Sequence, residues 1–138
     1  MSVTMMIILG VVILILLYFG YAFRKFRNTE DVPQSEKIKT LNDKNFNHQV
    51  KSGLVMVDFW ASWCVPCKAM APVLNELAEE LDDKVRICKL NVDENQQLAV
   101  KYAVRSIPTL ILFRNGKEID RFVGVKSKSF LTGKINQN

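Results

Sequence analysis

A chain of 138 residues suffices for one domain of ordinary size. Its formal net charge of +5 overstates its basic character, because three of its nineteen Lys and Arg residues stand together between positions 24 and 27 and leave sixteen basic against fourteen acidic residues elsewhere. That near-balance excludes a nucleic-acid-binding surface, so we expect no nucleic-acid partner.

The N-terminal segment 1–23 contains no charged side chain, and its apolar run Met5–Phe23 would extend about 28 Å as a helix, close to the thickness of a bilayer core. A cleaved signal peptide is disfavoured, because no Lys or Arg precedes the run and no A-x-A pattern follows it. A buried core helix is disfavoured, because no face of the run is polar. The sequence therefore predicts one N-terminal transmembrane helix over 1–23.

Residues 24–36 are interpreted as a basic juxtamembrane segment and linker. Arg24, Lys25 and Arg27 directly follow the apolar run, whereas no Lys or Arg precedes it. The positive-inside rule then predicts a single-pass membrane protein whose remaining part, 37–138, lies on the cytoplasmic side. An outward-facing domain is the alternative, and only the flanking charge argues against it.

The remainder alternates between strand-like and helix-like segments. The nearly all-apolar run LVMVDFW is typical of a central strand covered on both faces, and Asn115-Gly116 is a hairpin signal. Asn42 or Asp43 is expected to cap the first helix of this part. The predicted strands are 38–41, 54–60, 85–92, 109–113 and 118–123, and the predicted helices carry Phe46 and Val50, then Met70 to Leu81, then 95–102, and last the residues from Ser127 onward.

Strands that are joined through helices are expected to be parallel, and the hairpin adds an antiparallel edge. The predicted class is therefore α/β, with a mixed central sheet and helices on both faces. Pro72 falls inside the second helical pattern and is expected to kink it.

The nine residues WASWCVPCK, from Trp60 to Lys68, hold two of the three cysteines. Half of a zinc site is one interpretation, but Cys88 and His48 are the only other soft ligands and neither has a second ligand at the usual spacing. A redox dithiol is favoured instead. Cys64 would stand at a helix N-terminus, where unpaired N–H groups stabilise a thiolate, and Cys67 would follow within one helical turn.

With these elements in place, the sequence resembles the thioredoxin family over about Glu36 to Asn138. The matching segments, in order, are VDFWASWCVPCK, the proline at position 72, KLNVDEN, SIPTLILFRNG and the later Val123-Gly124. Their order and spacing are more specific than the C-x-x-C pair alone. The resemblance implies a thioredoxin fold and a thiol-disulfide oxidoreductase that reduces protein disulfides.

The resemblance also implies roles for individual residues. Cys64 matches the nucleophile of the family and Cys67 its resolving cysteine. Asp58 matches the buried carboxylate beneath the resolving cysteine, and Lys89 matches the partner of that carboxylate. A charge in an apolar strand is otherwise costly, so a neutral or paired state is expected at Asp58.

The substrate site implied by the resemblance lies around the disulfide. Ile107-Pro108 matches the cis-proline loop, whose backbone pairs with an extended substrate segment in this family. Trp63, Val65 and Pro66 are the further residues expected to contact substrate. Apolar surroundings are expected from Trp60, Ala61 and Val104, and for Trp60 core packing is the favoured interpretation.

The sequence departs from the family pattern at a few positions. Val65 stands where glycine is most common in the family, and its side chain is expected to change the surface near Cys64. Ala103 and Ser106 also stand where glycines are common, which predicts a stiffer loop. Cys88 is interpreted as buried packing, with a third redox thiol as the alternative.

The expected partners are disulfide-containing proteins and, as electron donor, a thioredoxin reductase, with no metal and no bound cofactor. Two alternatives remain open at this point. One is an outward-facing, membrane-tethered disulfide reductase or isomerase, and the other is a non-catalytic interaction module that uses the same fold.

Overall fold

The structure is a computed structural model that describes residues 2–27 and 32–138, and it separates into two compact units. The first unit contains the helix α1, and the second begins at Val32. The predicted linker 24–36 lies partly outside the described residues, because 28–31 are not among them. The elements in chain order are α1 Val3–Arg27, β1 Lys39–Leu41, α2 Phe46–Val50, β2 Leu54–Trp60, α3 Val65–Glu80, β3 Arg86–Asn91, α4 Gln96–Lys101, β4 Thr109–Arg114, β5 Lys117–Val123 and α5 Lys128–Asn136.

The apolar N-terminal segment forms the helix α1, as the sequence predicts. Its stretch Val3–Arg24 is 22 residues long and apolar enough to cross a membrane. Length and composition of this kind are shared by membrane spans and by signal sequences near an N-terminus. The helix is therefore a candidate span.

The second unit is built on a five-stranded sheet of order β1-β3-β2-β4-β5. The strands β1, β3 and β2 are parallel, whereas β4 pairs antiparallel with β2 and β5 antiparallel with β4. The mixed sheet is confirmed, but the expectation that every helix-joined strand is parallel is wrong for β3 and β4. The six residues of α4 rise only about 9 Å along the helix axis, less than half of the roughly 20 Å length of β3. Helix α4 therefore does not carry the chain back to the end of the sheet where β3 begins, and β4 starts at the end where β3 finishes.

Both faces of the sheet are covered by helices, as predicted. Along β2, Met56 packs with α3 and α5, whereas Val55, Val57 and Phe59 pack with α2 and α4. This alternation follows from the two-residue period of a strand. Because β2 lies in the middle of the sheet and is buried on both faces, nearly all of its residues are apolar.

The start of α2 differs from the prediction. The helix begins at Phe46 with Asn45 at its N-cap, so neither Asn42 nor Asp43 caps it. Instead, the Asn42 side-chain oxygen accepts hydrogen bonds from the backbone N–H groups of Lys44 and Asn45. These local bonds close a turn before the helix. Asn42 and Asp43 therefore belong to the turn and not to the helix cap.

The segment before β1 lies against α3. The Asn75 side chain accepts a hydrogen bond from the Ser35 N–H at 2.9 Å and donates one to the Pro33 carbonyl at 2.8 Å. Lys37 adds ion pairs with Glu79 and Asp82. The compact second unit therefore includes residues that precede the strands of the sheet.

Candidate active site

The two cysteines lie where β2 gives way to α3. Cys64 is the N-cap residue of α3 and is joined by a disulfide to Cys67, three residues on. The Cys67 backbone N–H donates to the Cys64 sulfur at 3.2 Å. Pro66 occupies the first helical turn, where a missing N–H removes no helical hydrogen bond. The helix N-terminus thus presents a donor and its positive dipole end to Cys64.

Asp58 is a fully buried carboxyl on the face of β2 that carries α3. Neither of its oxygens has a hydrogen-bond partner among the residues that the structure describes. Burial raises the pKa of Asp58 from 3.8 to about 7, and the nearby Lys89 lowers it to a smaller extent. The carboxyl is thus a group that can hold or release a proton near neutral pH.

Lys89 lies directly opposite Asp58 in the register of β2 and β3. Its ammonium nitrogen is 4.2 Å from the centroid of the Trp60 ring, a cation–π distance. The contact between Lys89 and Asp58 is electrostatic, since the lysine charge lowers the pKa of the carboxyl. Trp60 itself is half-buried against the two cysteines, consistent with the packing role favoured for it.

The loop before β4 faces the disulfide. The Ile107-Pro108 peptide bond is cis, and the Ile107 carbonyl oxygen lies 3.8 Å from the Cys64 sulfur. Two bonds hold the loop: the Thr109 hydroxyl donates to the Ser106 carbonyl at 2.6 Å, and the Gly124 N–H donates to the Pro108 carbonyl at 2.8 Å. The structure thus brings the predicted loop and the redox pair together.

An open groove of about 760 Å³ runs beside the disulfide. Cys64 lies on its lining and Cys67 does not. Trp63 forms part of the wall and is 68% exposed, with its indole N–H donating to the Asp93 carboxylate at 2.9 Å. The full lining is Trp63, Cys64, Val65, Pro66, Val92, Gln96, Ala99, Val100, Val104, Arg105, Ser106 and Ile107.

Several residues of the groove were not predicted from the sequence. Gln96, Ala99 and Val100 reach the groove from α4, where their i, i+3, i+4 spacing places them on one face of the helix. Asp93, which accepts a hydrogen bond from the Trp63 indole, lies in the matching segment KLNVDEN, but no role was predicted for it. Nothing in the local sequence shows which face of a six-residue helix will meet a cleft.

Cys88 is fully buried in the core on the α2 and α4 side of the sheet. Burial raises the pKa of its thiol to about 11. The packing interpretation is confirmed, and a third redox thiol is disfavoured because the reactive thiolate form is scarce at neutral pH.

Comparison with known proteins gives consistent matches. A family model described as Thioredoxin matches residues 37–137. The thioredoxin of Chlamydia pneumoniae is 50% identical over 101 residues, which is 73% of this chain and 98% of that protein. The thioredoxin of Staphylococcus saprophyticus is 48% identical over 101 residues, covering 73% and 97% of the two chains, and that of Rickettsia bellii is 46% identical over 100 residues, covering 71% and 95%. The family match begins at Lys37 and leaves α1 outside it.

Proposed function

Because this chain belongs to the thioredoxin family and is a thiol-disulfide oxidoreductase that exchanges disulfides through Cys64 and Cys67, we propose that Cys64 attacks the substrate protein and Cys67 resolves the product. The observation that carries this order is the position of Cys64, which lies on the groove and accepts the Cys67 N–H at the start of α3. A thiolate is favoured at that position.

The exchange proceeds in two steps that pass two electrons to the substrate. The Cys64 thiolate bonds to one sulfur of the substrate disulfide, and the other substrate sulfur leaves as a thiolate. Cys67, once deprotonated, then bonds to Cys64 and releases the second substrate sulfur. The substrate ends as a dithiol and the enzyme as the Cys64–Cys67 disulfide.

Asp58 is the proposed acceptor of the Cys67 proton. Its support is a pKa of about 7, produced by burial and moderated by Lys89, which suits a base that works near neutral pH. Lys89 has the supporting role of keeping the carboxyl from becoming too weak an acid. Both residues act on the second step, because Cys67 attacks only as a thiolate.

The substrate segment is proposed to lie extended along Ile107 and Pro108, with Trp63, Val65 and Pro66 on the opposite wall of the groove. The position of the Ile107 carbonyl beside Cys64 supports this placement, since a backbone acceptor there can bind an N–H of an extended peptide. The apolar character of the wall favours substrates with apolar residues next to the cysteine.

For the complete chain, we propose a single-pass anchor over 1–23, a juxtamembrane linker over 24–36 and a catalytic domain over 37–138 on the cytoplasmic side. The support is the length of α1 together with the basic residues that follow it in sequence. A cytoplasmic domain of this family would be re-reduced by a thioredoxin reductase.

The roles are tested by trapping with insulin, a protein held together by disulfides. Cys67→Ser is expected to accumulate a mixed disulfide with insulin, whereas Cys64→Ser is expected to form none and to lose activity. Non-reducing gels and the rate of insulin reduction provide the two measurements. Trapping by Cys64→Ser alone would reverse the assignment.

A further inference from the structure

We propose that Arg121, on the edge strand β5, is a positioning residue that sets one wall of the substrate groove. Arg121 does not line the groove. It binds the turn that ends α4, and the residues after that turn form the wall. The inference rests on the proposed function of the groove as the protein-substrate site.

The Arg121 guanidinium contacts two consecutive carbonyl groups. It donates to the Tyr102 carbonyl at 2.7 Å and to the Ala103 carbonyl at 3.5 Å. Glu118 holds the guanidinium through two bonds, 2.7 Å to Nε and 2.9 Å to Nη2. A planar guanidinium can bind a carboxylate along one edge and still direct N–H donors at carbonyl groups along another edge. A lysine ammonium lacks this geometry.

The turn is one that the local sequence supports poorly. Ala103 N–H bonds to the Val100 carbonyl and Val104 N–H to the Ala99 carbonyl, both at 2.9 Å, which is the Schellman pattern of a helix end. Ala103 has a φ of 51°, in the left-handed region where glycine is preferred. A six-residue helix gains little stability of its own, so this end depends on contacts from elsewhere.

Arg121 provides one of those contacts, and the aromatic core provides the other. The Tyr102 ring packs against Phe46 at 5.1 Å and Phe113 at 5.4 Å between ring centroids. The ring therefore anchors the turn to the core, while Arg121 anchors its carbonyl groups to β5. Together the two contacts define the direction in which the chain leaves α4.

The chain that leaves the turn is the groove wall itself. Val104, Arg105, Ser106 and Ile107 follow Ala103 directly, and all four line the groove. The last of them presents its carbonyl to the Cys64 sulfur. A shift of the turn would therefore move the surface that binds a protein substrate, whereas Cys64 and Cys67, at the N-terminus of α3, would stay in place.

The test uses the complete chain with dithiothreitol as the electron donor and two substrates. Insulin needs the groove, whereas cystamine, a small disulfide, needs only an accessible Cys64. Arg121→Ala is expected to raise the KM for insulin about five-fold with kcat unchanged, because the lost contact contributes equally to binding the substrate and the transition state. The rate of cystamine reduction is expected to stay unchanged. Arg114→Ala, an exposed arginine on the adjacent strand, is the matched control and is expected to change neither.

Two further measurements separate positioning from general destabilisation. The Val104 amide is expected to exchange faster with deuterated water in Arg121→Ala, because its bond to Ala99 belongs to the turn. Adding Ala103→Gly to Arg121→Ala is expected to recover most of the insulin KM, since glycine adopts the left-handed turn without strain. Equal losses with insulin and cystamine, an unchanged insulin KM, or an unchanged Val104 exchange rate would each overturn the proposal.

The role of the groove is tested separately. Val100 lines the groove and is 79% exposed, so Val100→Asp changes the groove without disturbing the core. This variant is expected to raise the insulin KM as well. An unchanged KM would refute the groove as the substrate site, whereas the Val104 exchange rate would still report on Arg121.

Discussion

At Asp58, a single side chain links stability to catalysis. The carboxyl is fully buried, and its pKa rises from 3.8 to about 7 mainly through burial. The folded protein therefore keeps this proton up to about pH 7, whereas the unfolded chain releases it near pH 4. Between these values the folded state binds more protons, so this residue makes the free energy of unfolding fall as pH rises.

The first prediction concerns Asp58→Asn in the oxidised protein. The variant is expected to match the native protein in stability near pH 4 and to exceed it increasingly up to pH 7, by roughly 4 kcal/mol at most. Urea unfolding at a series of pH values measures the difference. Single-turnover reduction of insulin is expected to be slower in the variant, because the proposed base for Cys67 is lost.

The opposite pattern has a clear meaning. A less stable Asn variant with an unchanged turnover rate would show that Asp58 is a structural hydrogen-bonding group and not a base. A stability difference that does not depend on pH would contradict the raised pKa.

The second prediction concerns Cys88. Its thiol is fully buried with a pKa of about 11, so at pH 8 only about one thiol in a thousand is ionised. We expect iodoacetamide to leave the native, oxidised protein unmodified and to add one group per chain after denaturation. Mass spectrometry counts the groups, and modification of the native protein would restore Cys88 as a candidate redox thiol.

Among the elements, α3 has separate tasks along its length. Its first turn presents the N–H groups that favour a thiolate at Cys64, and its later part binds the segment before β1 through Asn75. The Asn75 side-chain amide accepts a hydrogen bond from the Ser35 N–H and donates one to the Pro33 carbonyl. These are the two kinds of hydrogen bond that the backbone of a neighbouring strand would make. The helix therefore connects the redox pair with the segment that enters the domain.

The third prediction is that Asn75→Ala weakens this entry segment. In a chain that begins at Val32, the substitution is expected to lower the free energy of unfolding by about 1 kcal/mol, since one partly buried and one exposed hydrogen bond are lost. In a chain that begins at Lys37 the same substitution is expected to cause no loss, which controls for the helix propensity of alanine. Equal losses in both chains would place the role of Asn75 within α3 alone.

At the scale of the whole molecule, the sequence joins a candidate span to a complete catalytic domain. Matches to thioredoxins of other organisms cover 98% and 97% of the length of those proteins, so the matched part of this chain corresponds to nearly a whole thioredoxin. The apolar helix is additional to the family match. Which compartment the domain faces then decides both its electron donor and its substrates.

The fourth prediction is that Met1 lies outside and Cys64 in the cytosol, because the basic residues follow the apolar run. In intact cells, after a pulse of an impermeant reductant, an impermeant thiol reagent is expected to label Cys64 only once the membrane is opened. Cys88 does not interfere, since it is buried.

Moving Arg24, Lys25 and Arg27 to positions ahead of Met5 is the control, and it is expected to reverse the labelling. Prompt labelling of the native chain in sealed cells would contradict the cytoplasmic orientation and favour an outward-facing reductase or isomerase. Absence of the chain from the membrane fraction would contradict the anchor itself.

The sequence by itself determined the features that depend on neighbouring residues. The Cys64–Cys67 pair, the apolar N-terminal run and the nearly all-apolar strand β2 are readable because dithiol spacing, helix length and a short apolar run are local properties. The tertiary structure alone decided the direction of β4, the contribution of α4 to the groove and the contact of Arg121 with the turn at Ala103. Each of these joins residues far apart in sequence, and the free energy of such contacts comes from packing and pairing that no local pattern records.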